Sequence, residues 1–169
     1  TVSAILGGSV ALTKTTSGTV TLSGTNTFTG VTTINAGVLS VSTIGNGGSA
    51  GNLGQASNAA TNLVLGGGTL RYTGATASSN RAYTLTAATT STIEVENSGT
   101  TLTISGVGAN TTGALTKSGA GILVLSGANL YTGLTTINGG TLRYGILNAL
   151  SSGPVTVNGG IWDVATFND

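Results

Sequence analysis

The chain has 169 residues, 5% of them charged, and a net charge of +1 at pH 7. Typical globular proteins carry roughly 25% charged residues, so this composition gives no electrostatic basis for binding nucleic acid or an anionic membrane. With no cysteine and no histidine, it also excludes disulfides, His/Cys metal sites and Ser–His or Cys–His nucleophiles.

Glycine is abundant, at 29 residues, and the mean hydropathy is +0.34, so there is apolar surface to bury. No apolar run approaches the roughly 18 residues of a membrane span. Low charge weakens colloidal repulsion and suits a partner-packed or fibrous setting. The start at Thr1, without Met or a basic-then-apolar leader, reads as a mature piece or an excerpt of something longer.

From the N-terminus, the first organised stretch is 11–41, A-L-T-K-T-T-S-G-T-V-T-L-S-G-T-N-T-F-T-G-V-T-T-I-N-A-G-V-L-S-V. Within it, Val20-Thr21-Leu22 alternates apolar and polar residues as a half-buried strand does, and Ser23-Gly24 closes it as a turn. Ala36-Gly37-Val38-Leu39 and Gly67-Gly68-Thr69-Leu70 are cognate segments 31 residues apart. Against a finer period of about 20, that spacing predicts an insertion of about 11 residues in the Gly/Asn/Ala-rich run 45–62, a loop bulging from a repeating coil.

Further strands with turns follow at Leu102-Thr103-Ile104, Leu123-Val124-Leu125 and Val155-Thr156-Val157. There is no helical stripe with caps, and glycine is too frequent for helices. Residues 114–144 repeat 11–41 at a constant offset of 103, without a gap. The matches include Lys14/Lys117, Gly24/Gly127, Asn26/Asn129, Gly30/Gly133 and Asn35/Asn138, with Phe28 paired to Tyr131. Segments at Ile137–Leu142 and Val157–Trp162 are 20 residues apart, which predicts a long period close to five short ones.

A coil of about 20 residues cannot bury its own core and needs neighbours above and below. The expectation is one all-β solenoid over residues 1–169, with three short strands per coil, about eight coils, and a length on the order of 40 Å. Leu, Ile and Val point inward, Thr and Ser outward. Corners with positive φ fall to recurrent Gly and Asn: Gly24, Gly37, Gly127, Gly140, Asn35, Asn138 and Asn158. Asn26 and Asn129 form a second set, and stacked asparagines can form amide ladders. Asn138→Leu is expected to cost on the order of 1 to 3 kcal/mol. Neither end shows a polar cap, and W-D-V-A-T-F-N-D joined to T-V-S-A-I-L reads as a continuing coil. The expectation is continuation in a longer chain or end-to-end self-association.

The string L-T-K-S-G-A-G-I-L-V-L-S-G-A-N-L-Y-T-G-L-T-T-I-N-G-G-T-L within 114–144 resembles the autotransporter-associated β-strand repeat. Residues 11–41 resemble it too, departing at Thr15-Thr16-Ser17, and the stretches 80–85 and 102–115 resemble its linking coils. The resemblance implies a right-handed parallel β-helix, about 20 residues per coil. It also implies a passenger region exported to, or shed from, the surface of a Gram-negative bacterium. It implies no reaction and no cofactor.

Chemistry is sparse. Glu94 and Glu96 alternate as one carboxylate pair, which could bind a cation or do acid–base work. The other acids lie more than 60 residues away, so a solvated edge is the preferred reading. Lys117-Ser118 and Lys14 sit in the repeat itself, where a catalytic site would not be duplicated. The glycine runs at 45–48 and 66–68 lack the helix and Lys-Ser/Thr of a phosphate loop. Arg71-Tyr72 and Arg143-Tyr144 recur and could make a shallow contact patch for a glycan or host surface. In the plainer reading Tyr completes a core face and Arg supplies solubility. The expected role is a non-enzymatic rigid rod or self-stacking filament. An adhesin using the flat faces or the 45–62 loop is the second reading, and a carbohydrate-active enzyme the third.

Overall fold

The computed structural model describes residues 1–150 and 152–166. Asp169, one of the four acids of the sequence, lies outside them, as does the 167–169 end used above to read a continuing coil. The first repeat copy supplies β1 (Leu12–Lys14), β2 (Thr19–Leu22), β3 (Thr32–Ile34) and β4 (Val38–Val41). After a one-turn 3-10 helix at Ala60–Asn62 come β5 (Leu63–Leu65), β6 (Thr69–Tyr72), β7 (Ala77–Ser79) and β8 (Thr84–Leu85). The middle carries β9 (Thr90–Val95) and β10 (Thr101–Ile104). The second copy supplies β11 (Ala114–Ser118), β12 (Ile122–Leu125), β13 (Thr135–Ile137) and β14 (Thr141–Tyr144). The last two strands are β15 (Val155–Val157) and β16 (Ile161–Asp163).

These strands form three parallel sheets, ordered β1-β3-β5-β8, β2-β4-β6-β9-β11-β13-β15 and β7-β10-β12-β14-β16. Neighbouring strands in a sheet come from successive passes of the chain, so the molecule is a parallel β-solenoid. Alternation sets which side chains enter the core: β12 buries Leu123 and Leu125 while Ile122 and Val124 are half-buried outside. Columns of inward residues then stack along the axis. One runs Val20, Leu39, Leu70, Ile93, Lys117, Ile137 and Val157. Seven strands in the longest sheet make about seven turns rather than eight. At 4.7–4.9 Å per rung, the rod is on the order of 30 Å long.

Register steps are 20 residues from Lys14 to Ile34 and 31 from Leu39 to Leu70. They are 23 from Leu70 to Ile93, 24 from Ile93 to Lys117 and 25 from Ala77 to Leu102. These longer turns change the relation between the copies. The 103-residue offset is not five coils. It is four steps, from Val20 to Lys117, plus the six residues from Lys14 to Val20. The second copy therefore sits one sheet further round the axis. In the first copy β1 lies in the four-stranded sheet and β2 in the seven-stranded one; their counterparts β11 and β12 lie in the seven-stranded and five-stranded sheets.

Candidate functional site

The motif lysine points inward. Lys117 occupies a buried position on β11, between Ile93 and Ile137 in its column, and is 0% exposed. Its ammonium reaches the corner and donates to the carbonyls of Ser118 (2.6 Å), Gly119 (3.0 Å) and Gly139 (3.0 Å). Lys14 does the same in the first copy, toward the carbonyls of Thr16 and Ala36 and the Thr16 hydroxyl. A point charge with three donors suits three corner carbonyls. Burial holds the Lys117 ammonium down to about 8, and nearby Glu94 opposes the shift. Each lysine is committed to the backbone, which leaves no free amine for a Ser–Lys reaction.

Beside these lysines sit Gly37 and Gly140, with φ of 64° and 59°. A Cβ on Gly37 would run into the carbonyls of Thr16 and Gly18, and one on Gly140 into those of Gly121 and Gly119. The positive φ expected at the corner asparagines is absent from Asn26, Asn35, Asn129, Asn138 and Asn158. Glycine takes the left-handed turn because it has no Cβ to clash there. Gly24 and Gly127 are also corners, at negative φ, where a Cβ would approach the carbonyls of Ala4 and Ser105 at 2.7 and 2.8 Å.

The asparagines divide by burial. Asn26 and Asn129 are 0% and 2% exposed, and their hydrogen bonds span three and four coils. Asn129 Oδ1 accepts from the Gly108 amide (2.6 Å) and the Tyr83 hydroxyl (2.9 Å). Its Nδ2 donates to Gly127 (2.9 Å) and, one coil further, to Ala149 (2.7 Å). Asn26 accepts from the Leu6 amide and donates to the Asn52 carbonyl, both at 2.8 Å. Asn35, Asn138 and Asn158 are exposed, and Asn158 donates to Asn138 at 3.0 Å as one rung of an amide ladder. Phe28 and Tyr131, the matched aromatics, are both 1% exposed in the core.

The Leu-Arg-Tyr motifs do not share a surface. Arg71 lies on β6 in the seven-stranded sheet and Arg143 on β14 in the five-stranded one. Tyr72 and Tyr144 are buried; Tyr72 donates to the Ala75 carbonyl, and Tyr144 meets Trp162 edge-on at 5.9 Å. Each arginine pairs with a carboxylate on the next rung: Arg71 with Glu94 at 2.8 Å and Arg143 with Asp163 at 2.7 Å. The Arg143 hydrogen bond holds Asp163 below the usual carboxylate range. Glu94 is therefore an ion-pair partner, while Glu96 lies exposed beyond the end of β9. No group of three or more potential metal ligands occurs among the described residues.

The inserted run is ordered against the rod. Leu53, Ala56 and Asn52 are buried. Asn52 Oδ1 accepts the Ser42 and Thr43 amides, both at 2.9 Å, and Gly51 pairs antiparallel with Asn26. Arg81, 4% exposed, points into this lobe. Its Nη2 donates to the Gly54 carbonyl at 2.7 Å, its Nε toward Ile44 (3.2 Å) and Gly45 (3.3 Å), and its Nη1 to Ala56 (3.3 Å). Longer contacts reach Asn46 and Ser49. Sequence reading missed Arg81, because nothing in Asn80-Arg81 marks it. The inward lysines were not predicted either, although Leu12 and Lys14, like Leu115 and Lys117, share one strand face and so carried the signal.

The profile of the passenger-associated-transport-repeat matches residues 12–41 and 115–143. The adhesin BmaC autotransporter of Brucella suis biovar 1 (strain 1330) is 49% identical over 104 residues, covering 62% of this chain. The chain spans 3% of that relative's length. No solved structure matches. The matched segments coincide with the two lysine corners and the two buried-asparagine loops: this β-solenoid carries the passenger-associated-transport-repeat twice.

Proposed function

We propose that this segment acts as a non-enzymatic, load-bearing rod in an exported passenger on the surface of a Gram-negative bacterium. The carrying observation is the seven-stranded sheet, whose parallel register runs unbroken from β2 to β15. Every rung is tied to its neighbours by backbone hydrogen bonds, with an inward column of Leu, Ile and Val, interrupted by Lys117, behind it. The two repeats and the autotransporter relative support the surface setting. Pairing of Glu94 with Arg71 and commitment of both lysines to corner carbonyls support the absence of catalysis.

Such a rod works as part of a longer stack of coils, either within one polypeptide or between identical subunits. Electron microscopy of the purified chain tests this reading. Long uniform filaments with a roughly 4.8 Å axial repeat favour subunit stacking. Short straight particles favour a spacer within a longer passenger. Flexible particles without a rod profile would refute the mechanical role.

The second reading is adhesion, favoured by the relative's description as an adhesin. Contact through the ordered 45–62 lobe predicts glycan or host-surface binding that is lost when that lobe is removed.

A further inference from the structure

We infer that the 45–62 lobe is a guanidinium receptor built from backbone carbonyls, and that Arg81 gives the lobe its fold by filling it. The receptor's oxygens come from both limbs. Ile44, Gly45 and Asn46 lie on the outgoing limb, Gly54 and Ala56 on the returning one, and Ser49 near the tip. One planar fork with five N–H groups reaches all of these at once, which a point-like ammonium cannot do. Among the described residues Arg81 has no carboxylate partner, since the two ion pairs belong to Arg71 and Arg143. Its charge is met by carbonyl dipoles alone.

The lobe's buried apolar side chains are Leu53 and Ala56. The Gly45, Asn46 and Ala56 carbonyls also accept from the Ser79 hydroxyl and the Ser49 and Gly48 amides, while the Gly54 and Ile44 carbonyls would lose their donor with the guanidinium. The residues beside Arg81 read the same segment. Ser79 Oγ donates to the Gly45 carbonyl at 2.7 Å, and itself accepts the Arg81 amide at 3.2 Å. Asn80 Oδ1 accepts the Gly47 amide at 2.9 Å, while the Asn80 amide donates to Asn46 Oδ1 at 3.0 Å. Residues 79–81 thus grip the outgoing limb, and the arginine carries the grip across to the returning one.

Amide hydrogen exchange on the 169-residue chain tests this. In Arg81→Ala, amides of residues 46–58 are expected to lose protection at least about tenfold while the strand rungs keep theirs. Millimolar methylguanidinium is expected to restore that protection, and methylammonium is not. Unchanged lobe protection in Arg81→Ala would overturn the proposal. So would failure of methylguanidinium to restore it, or equal restoration by methylammonium. If Arg81→Ala does not fold, Arg81→Lys is read the same way. Selective opening of the lobe upholds the proposal; unchanged protection, or loss spread evenly over all coils, overturns it.

Discussion

Asn129 ties the two coils before it and the coil after it to its own through four hydrogen bonds at 2.6 to 2.9 Å. Replacing it with leucine strands the Gly108 amide and the Tyr83 hydroxyl in a dry environment, so Asn129→Leu should cost about 1 to 3 kcal/mol. Asn138, assigned that cost from sequence, is exposed and contributes one solvent-facing rung. Asn138→Leu should therefore cost less than about 0.5 kcal/mol. Denaturant melts of the two variants compare them directly, and equal losses would contradict the assignment. Gly140→Ala forces a Cβ into a left-handed turn closed by the Gly119 and Gly121 carbonyls. It should destabilise by more than about 1 kcal/mol, measurable in the same melts.

The corner of the second copy is an assembly of a glycine turn, three carbonyls and the inward Lys117, and it titrates. Lys117 is held near 8, below its ordinary 10.5, by burial. Between those values the unfolded chain holds a proton that the folded chain has released, so stability rises with pH across that window. Tyr83 and Tyr131 act in the opposite sense. Burial pushes both phenols up from 10.0, so above about pH 10 the unfolded chain loses protons that the folded one keeps, and stability falls. Midpoints of urea unfolding should climb from pH 8, turn over near pH 10 and then decline. Lys117→Met should remove the climb, and Tyr131→Phe should soften the decline. A flat profile through pH 8 to 10 in the parent chain would contradict the role of Lys117.

Across the whole rod, each strand pairs only with strands of the coils beside it, so stability is close to a sum of neighbouring interfaces. Amides of β9 and β10, on the middle rung, lie furthest from both ends of the stack and should exchange most slowly, with protection falling off in both directions. Uniform protection would show that the chain melts as one unit. Much of this architecture was legible in the sequence. Turn signals and alternation mark the strands, and the 31-residue spacing of the Gly-x-Leu segments is the register step that the structure shows from Leu39 to Leu70. The relation between the copies was not legible. Steps of 23 and 24 residues hide surplus residues in turns of no distinctive composition; with the 31-residue step and the six residues from one sheet to the next they bring the offset to 103 and imitate an extra coil. Arg81 was equally hidden, because its partners are backbone carbonyls, which leave no trace in side-chain identity.

The sheet-by-sheet advance between copies acts as a screw operation: the second motif is the first moved up the axis and turned by one face. Corner lysines and buried asparagines are indifferent to this turn, because they face inward. Anything the motif shows to solvent is not. The counterpart strands β4 and β14 lie in the seven-stranded and five-stranded sheets, so one flat partner cannot engage the same motif face in both copies at once, and duplication here brings no avidity. A third copy at the same offset would complete the circuit, displaying the motif once on every side of the shaft.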